Sequence, residues 1–308
     1  VVVHIGSQMT LPANPSSANA SPQAVSRDRL IWLVWFTALI LIGYGPVLQR
    51  LVKQWMDDPD MGHGFFVPLV AGYIAWLERD RWLSTPVSGN WAGLALVVWG
   101  SIQLLVATLG AELFLTRTAL LFTIAGAILL AGGTRRLRAL LFPLFLLVFM
   151  VPIPTIIYTQ ITFPLQLLAS RAAELALTLI GVPVFREGNI LELPSQRLSV
   201  VEACSGIRSL LSLTFLSLVY AYFFDRRVWM RWVLLIASIP IAIVANAFRV
   251  TMTGILSEYK REWADGFFHA AEGWVIFMLA LVLLVGVHWF VSRAWRAAHE
   301  GGKPGVEG

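Results

Sequence analysis

The chain has 308 residues, of which 57% are hydrophobic and only 13% charged, with a mean hydropathy of +0.73. Soluble domains carry about a quarter charged residues, so an ordinary soluble fold is excluded and an integral membrane protein is expected. The net charge of +5 would point to nucleic acid in a soluble protein, but the basic residues cluster in short segments between apolar runs, so no nucleic-acid partner is expected. A single cysteine excludes an intramolecular disulfide and any multi-cysteine zinc or iron–sulfur site.

Residues 1–29 are rich in Ser, Pro, Asn and Ala and show no helical or strand period, which predicts a disordered cytoplasmic tail. The first apolar run, Leu30 to Leu48, follows Arg27 and Arg29 without a small-residue cleavage site after it, and reads as a retained span rather than a signal peptide. Further spans are expected at Phe65 to Leu77 (extended back through His63), Trp91 to Gly110, Leu113 to Ala131 and Leu137 to Pro152. Ile161 to Ile180 is apolar but holds Pro164, Arg171 and Glu174, and a ninth span here would put Arg226, Arg227 and Arg231 outside. The segment 161–182 is therefore expected in the outer interface, as an amphipathic or re-entrant helix. Asn189 to Pro194 and Arg197 to Glu202 alternate apolar with polar around Pro194, Ser195 and Gln196, which predicts a small extracytoplasmic hairpin. Spans at Gly206 to Phe224, Trp232 to Gly254 and Phe267 to Val291 complete about eight. The expectation is an all-α polytopic membrane domain over 30–292 with a basic cytoplasmic tail at 293–308. There is no fixed-period repeat, glycine-rich phosphate loop or HExxH motif.

Short loops rich in Lys and Arg stay cytoplasmic. Arg135, Arg136 and Arg138 mark one, Arg226, Arg227 and Arg231 another, and Arg293, Arg296 and Lys303 the tail. With both termini inside, the cytoplasmic segments hold 13 basic and 6 acidic residues, the remainder 10 and 12, a bias of the right sign.

This topology gathers three residues at one membrane face. Cys204 lies two positions before the sixth span, Arg249 near the outer end of the seventh and His269 just inside the outer end of the eighth. From Trp232 to Arg249 the helix climbs about 25 Å, most of a ~30 Å hydrocarbon core. Asn246, three residues earlier, shares the Arg249 face. A nucleophilic cysteine needs a thiolate, and a helix N-terminus with Arg208 one turn on lowers a thiol pKa. His269 is placed to take the thiol proton and return it to a leaving amine, and Arg249 to stabilise an oxyanion. The set resembles a cysteine protease or transpeptidase at a membrane surface. Each member also has a plainer role: a lone cysteine packs, an arginine near a helix end snorkels to headgroups, and an interfacial histidine needs no chemistry. Glu202, Ser205, Gly206 and Arg208 around Cys204 argue against simple packing. His63, in Met61 to Pro68 beside Asp57, Asp58 and Asp60, is more readily a turn or capping residue than a metal ligand. His288 and His299 lie toward the cytoplasm, away from the set. Trp55, Trp82, Trp91, Trp229 and Trp232 fit an aromatic belt.

At these residues the sequence resembles the exosortase family of bacterial polytopic membrane transpeptidases. The matching pieces are Val201 to Ser209 (VEACSGIRS), Asn246 to Val250 (NAFRV), Phe267 to Ala270 (FFHA) and Gly62 to Pro68 (GHGFFVP). The resemblance implies a sortase-like reaction on the periplasmic side of the inner membrane, with Cys204 as nucleophile, Arg249 as transition-state stabiliser and His269 as acid and base. Glu202, Arg208, Asn246 and His63 are supporting candidates. The implied substrates are membrane-anchored secreted proteins with a C-terminal Pro-Glu-Pro signal, one transmembrane helix and a basic cluster, passed through a thioester to a lipid, glycan or water acceptor. No metal or cofactor is implied. Some exosortases carry an additional C-terminal domain linked to exopolysaccharide production; with the sequence ending at Gly308, any such partner is expected to be a separate protein.

Two other classes remain open from the residues alone. In a membrane acyl or glycan transferase, His269 and Arg249 would handle a lipid phosphate while Cys204 only packs. In a polysaccharide export transporter, Pro240, Asn246 and Arg249 would line a pathway. The specific cysteine block is needed by neither.

Overall fold

The computed structural model describes residues 27–200, 207–225, 227–259 and 267–300, with side chains over 34–58, 61–200, 210–225, 227–258 and 275–299. The tail expected over 1–29 lies, up to residue 26, outside the described residues. The chain divides into two compact units, Val1–Gly45 and Pro46–Gly308. The first contributes helix α1 (Arg27–Gly43).

In the second unit, α2 (Gly45–Asp57) is amphipathic: Leu51 and Trp55, four apart, are buried, while Arg50 and Lys53 face out. A 3-10 turn (Pro59–Phe65) leads into α3 (Phe66–Leu77), followed by α4 (Arg79–Leu83), α5 (Ala92–Leu109) and α6 (Leu113–Ala139). The Glu112 carboxylate caps α6 by accepting from the Leu115 N–H at 2.8 Å. α5 and α6 pack with their backbones in contact. A Cβ on Gly93 would fall 2.2 Å from the Leu130 nitrogen, and one on Gly126 2.8 Å from the Val97 nitrogen. Small residues that admit close approach are how helices associate in lipid, where apolar burial gains nothing.

The expected loop at Arg135, Arg136 and Arg138 is helical, set off within α6 by a break at Gly133 (φ 80°, ψ 178°). A Cβ there would lie 1.9 Å from the Ser88 carbonyl oxygen, so only glycine fits. Beyond the break, Arg136 donates through Nε and Nη2 to the Thr85 carbonyl oxygen at 3.3 and 3.1 Å.

α7 (Leu141–Leu146) ends in a 3-10 turn (Leu147–Met150), and α8 (Thr155–Ile180) follows. Here the structure corrects the expectation twice. Leu137 to Pro152 yields only a short broken helix, ended ahead of Pro152 and Pro154. The segment expected in the interface belongs to a 26-residue helix, long and apolar enough to cross a membrane. Five helices meet that measure among the described residues, α5, α6, α8, α10 (Val228–Tyr259) and α11 (Phe267–Glu300). A sixth is added if Val34–Gly43 and Gly45–Asp57 form one broken span. Met61–Leu77, Leu141–Met150 and Leu210–Phe224, the last being the described part of α9 (Ile207–Phe224), are shorter apolar helices, so the described residues hold five or six candidate spans where about eight are expected.

α8 ends in a Schellman turn: Gly181 takes φ 88°, its N–H donates to the Thr178 carbonyl and the Val182 N–H to that of Leu177. Then come β1 (Phe185–Glu187), β2 (Ile190–Glu192) and β3 (Arg197–Ser199), an antiparallel meander in sequence order. β2 and β3 lie within the expected hairpin; β1 is additional, joined through a two-residue turn with Gly188 at φ 63°. Leu191, Leu193, Leu198 and Val200 share one buried cluster with Ala169, Ala173 and Leu177 of α8 and Val250 of α10.

Leu177 packs against Gly254, and both helices end at the sheet, so α8 and α10 run in the same direction. Counting back from that contact, Thr155 falls level with Trp232.

Candidate active site

α10 runs five residues past its expected end, so Arg249 sits ten residues, about 15 Å, before the end of the helix at Tyr259. Around it lies a polar stripe on an otherwise apolar helix. Asn246 is 3% exposed, Thr253 6% and Ser257 2%, at spacings that keep them on one face. Thr253 donates to the Arg249 carbonyl oxygen at 3.0 Å, and Ser257 to that of Thr253 at 2.7 Å. Arg249 itself is half-buried, and its buried Nε has no hydrogen-bond partner among the described residues. An arginine guanidinium cannot shed its charge, so holding one half-buried within a helix bundle is costly.

The sheet is clamped over this stripe from two sides. From α8, Gln166, Ser170 and Glu174 form a row four residues apart. Asn189 Nδ2 donates to Gln166 Oε1 at 3.1 Å, Ser170 Oγ to the Gly188 carbonyl at 3.0 Å, and Arg186 Nε to Glu174 Oε2 at 2.6 Å. From α10, Glu258 Oε1 accepts from the Ser195 N–H at 2.9 Å, and Ser257 Oγ accepts from Gln196 Nε2 at 2.6 Å. β3 ends at Ser199 and is followed by Val200, which is fully buried. The chain resumes at Ile207, the start of α9.

Cys204 and Glu202 lie between these two points, outside the described residues. Arg208 is the second residue of α9 and His269 the third of α11; their side chains are likewise outside the described set. Asn246 and Arg249 share the α10 stripe, as their spacing predicts. His63 lies in the 3-10 turn before α3, with Nε2 3.2 Å from the Phe149 carbonyl oxygen. A carbonyl only accepts, so the proton sits on Nε2 in this contact. Trp55 Nε1 donates to the neighbouring Met150 carbonyl at 3.0 Å. Together the two side chains cap the carbonyls of the short α7 segment, whose continuation is interrupted by proline. Among the described residues no group of three or more His, Cys, Asp or Glu side chains is placed to hold a metal ion.

With this arrangement in view, residues 55–286 match the transmembrane exosortase family. The chain belongs to that family. It is a multi-pass membrane protein, and the exosortase match takes in His63, Glu202, Cys204, Arg208, Asn246, Arg249 and His269 alike. No curated protein and no solved structure matches the chain.

Sequence reasoning passed over Thr253, Ser257, Glu258 and the Gln166, Ser170, Glu174 row. A signal was present, since polar residues recurring every three or four positions in an apolar helix mark a buried polar face.

Proposed function

We propose that this exosortase-family chain is a cysteine peptidase and transpeptidase, cutting secreted proteins near a C-terminal Pro-Glu-Pro sorting signal at the periplasmic face, with both termini cytoplasmic. The Cys204 thiolate attacks the carbonyl carbon of the scissile peptide bond. The resulting oxyanion is stabilised by the Arg249 guanidinium, in a site where fixed charge acts with little solvent screening. His269, holding the thiol proton, delivers it to the departing amine as the C–N bond breaks, and the upstream protein remains as a thioester. His269 then takes a proton from the acceptor nucleophile, which attacks the thioester and returns the thiolate. Glu202, Arg208 and Asn246 support the thiolate and its surroundings, and His63 holds the short helices beneath.

One observation supports this reading above the others. Val200, four residues before Cys204, and Val250, next to Arg249, belong to the same buried cluster. Val200, just after β3, and the helix turn that carries the arginine therefore share one buried core, which supports a site assembled where the two meet. A substrate whose signal includes a membrane helix also explains why such an enzyme is polytopic: recognition in the bilayer plane puts the bond outside that helix at the enzyme's own outer face.

The test is intact mass spectrometry of the purified protein with a membrane-reconstituted substrate carrying the C-terminal signal, comparing wild type with Cys204→Ala. A hydroxylamine-sensitive adduct on wild type alone is expected, with substrate untouched by the variant. Equal consumption by both proteins without an adduct would overturn the proposal in favour of a lipid-phosphate transferase.

A further inference from the structure

At the end of the bundle away from the sheet, α9 and α11 border an open groove of about 380 Å³. Its floor is a fixed polar network. The Asp225 carboxylate, 5% exposed, accepts from Arg227 Nε at 3.1 Å, Arg227 Nη2 at 2.9 Å and the Arg227 N–H at 2.8 Å. His288 bridges this carboxylate (Nε2 to Oδ2, 3.2 Å) and the Tyr220 hydroxyl (Nδ1 to Oη, 2.9 Å). An ionised carboxylate only accepts, so Nε2 carries the proton, and Nδ1 accepts from Tyr220 when the imidazole is neutral. The Arg227 guanidinium also lies 4.7 Å from the Trp295 ring centroid.

The network leaves positive charge and donors over. Asp225 neutralises Arg227, but Arg296 lines the same groove, and its one hydrogen bond among the described residues runs from Nε to the Ser292 carbonyl of its own helix. Both Nη groups of Arg296, and Nη1 of Arg227, make none among the described residues. Ser292 Oγ accepts from Arg227 Nη2 at 3.3 Å and keeps its own proton to give. Toward the bundle centre the groove wall turns apolar through Phe224, Val285 and Trp289, which are 69%, 39% and 58% exposed. Val285 and Trp289 belong to the surface that a membrane-spanning α11 turns toward acyl chains, and Phe224 closes the wall from the end of α9.

We propose that this groove binds an anionic phospholipid, its phosphate on Arg296, Arg227 Nη1 and the Ser292 hydroxyl, its acyl chain along Val285 and Trp289. Donors and cations at one end of an apolar channel, at the level where a spanning helix leaves the hydrocarbon, match an anionic amphiphile. Asp225 and Trp295 hold Arg227 in place before the lipid arrives, so little side-chain freedom is lost on binding. The inference rests on the membrane assignment and not on the proposed catalysis.

The test is native mass spectrometry of the full-length protein in detergent, titrated with phosphatidylglycerol or phosphatidylcholine of identical chains, for wild type and Arg296→Gln. Phosphatidylglycerol is expected to bind wild type about tenfold more tightly, and Arg296→Gln to lose about fivefold of that preference. Brominated-chain phosphatidylglycerol should quench wild-type tryptophan fluorescence more than that of Trp289→Phe. Equal binding of the two lipids, or a preference unchanged in Arg296→Gln, would overturn the site. So would displacement by millimolar inorganic phosphate together with no quenching at Trp289, since the groove would then take a free anion instead. Arg296 is exposed, and its variant should melt with wild type.

Discussion

The Glu258 carboxylate accepts a hydrogen bond from the Ser195 N–H at 2.9 Å, tying the turn between β2 and β3 to the last turn of α10. With Gln196 on Ser257 it fixes the turn that leads into β3. A hydrogen bond to a charged group contributes about 1.5–3 kcal/mol. Removing it should loosen the approach to the nucleophile without dissolving the apolar cluster beneath. Glu258→Ala is expected to slow substrate processing about tenfold at unchanged membrane abundance, and Glu258→Gln, which keeps an acceptor, by less than about threefold. Wild-type rates in both variants would show that the clamp does not serve the site.

Arg249 presents a different balance, because its buried Nε lacks a partner among the described residues. A purely structural arginine would be tied down by acceptors. Arg249→Lys keeps the charge but loses the planar fork, and processing should fall by about 100-fold. The melting temperature should hold or rise, since Nε gives up no hydrogen bond to a described residue. A large drop in melting temperature with processing intact would assign Arg249 to the fold.

Where the sequence was legible, the interactions involved were local. Trp91 to Gly110 was expected as a span and is α5, Ala92–Leu109; the Asn189 to Glu202 alternation was expected as a hairpin and holds β2 and β3; Asn246 and Arg249 share a face by spacing alone. What escaped depends on distant partners. Glu174 and Pro164 argued against α8 as a span, yet Glu174 is paired with Arg186 of β1, which a count of charges within one apolar window cannot see. Glu258 and Ser257 acquire their roles only from a turn more than 60 residues earlier in the chain. Leu137 to Pro152 looked long enough to span, but its proline-interrupted end falls back on caps supplied by Trp55 and His63.

Asp225, outside the spanning helices, gives a pH dependence with a definite sign. Burial alone would raise its carboxyl, but hydrogen bonds from the Arg227 side chain and N–H and from His288 outweigh that and hold it at about 2, against an ordinary 3.8. A carboxyl depressed in the folded state stabilises fully above its unfolded pKa and loses that contribution as pH falls toward the folded one. The loss should run from about pH 4 down to about pH 2 and amount to about 2 kcal/mol. Thermal unfolding in nanodiscs should therefore show the advantage of wild type over Asp225→Asn shrinking across that interval. An advantage that grows on acidification would contradict the ion pair.

The contact between α5 and α6 tests whether backbone proximity, rather than side-chain burial, joins helices in this bundle. At Gly93 and Gly126 the nearest atoms to an added Cβ are backbone, at 2.2 and 2.8 Å, and backbone cannot rotate aside as a side chain can. Gly100 differs, because its nearest atom is the Thr123 hydroxyl at 2.5 Å, which can turn away in part. The three glycines should therefore rank. Gly93→Ala is expected to destabilise by about 1–3 kcal/mol, as overpacking does, Gly126→Ala comparably, and Gly100→Ala less. Alanine is the better helix former, so helix propensity alone predicts the opposite sign for all three. Melting temperatures of the single variants in one detergent decide between the two: a rise at Gly93→Ala would mean that the helices stand further apart than the close-contact geometry requires.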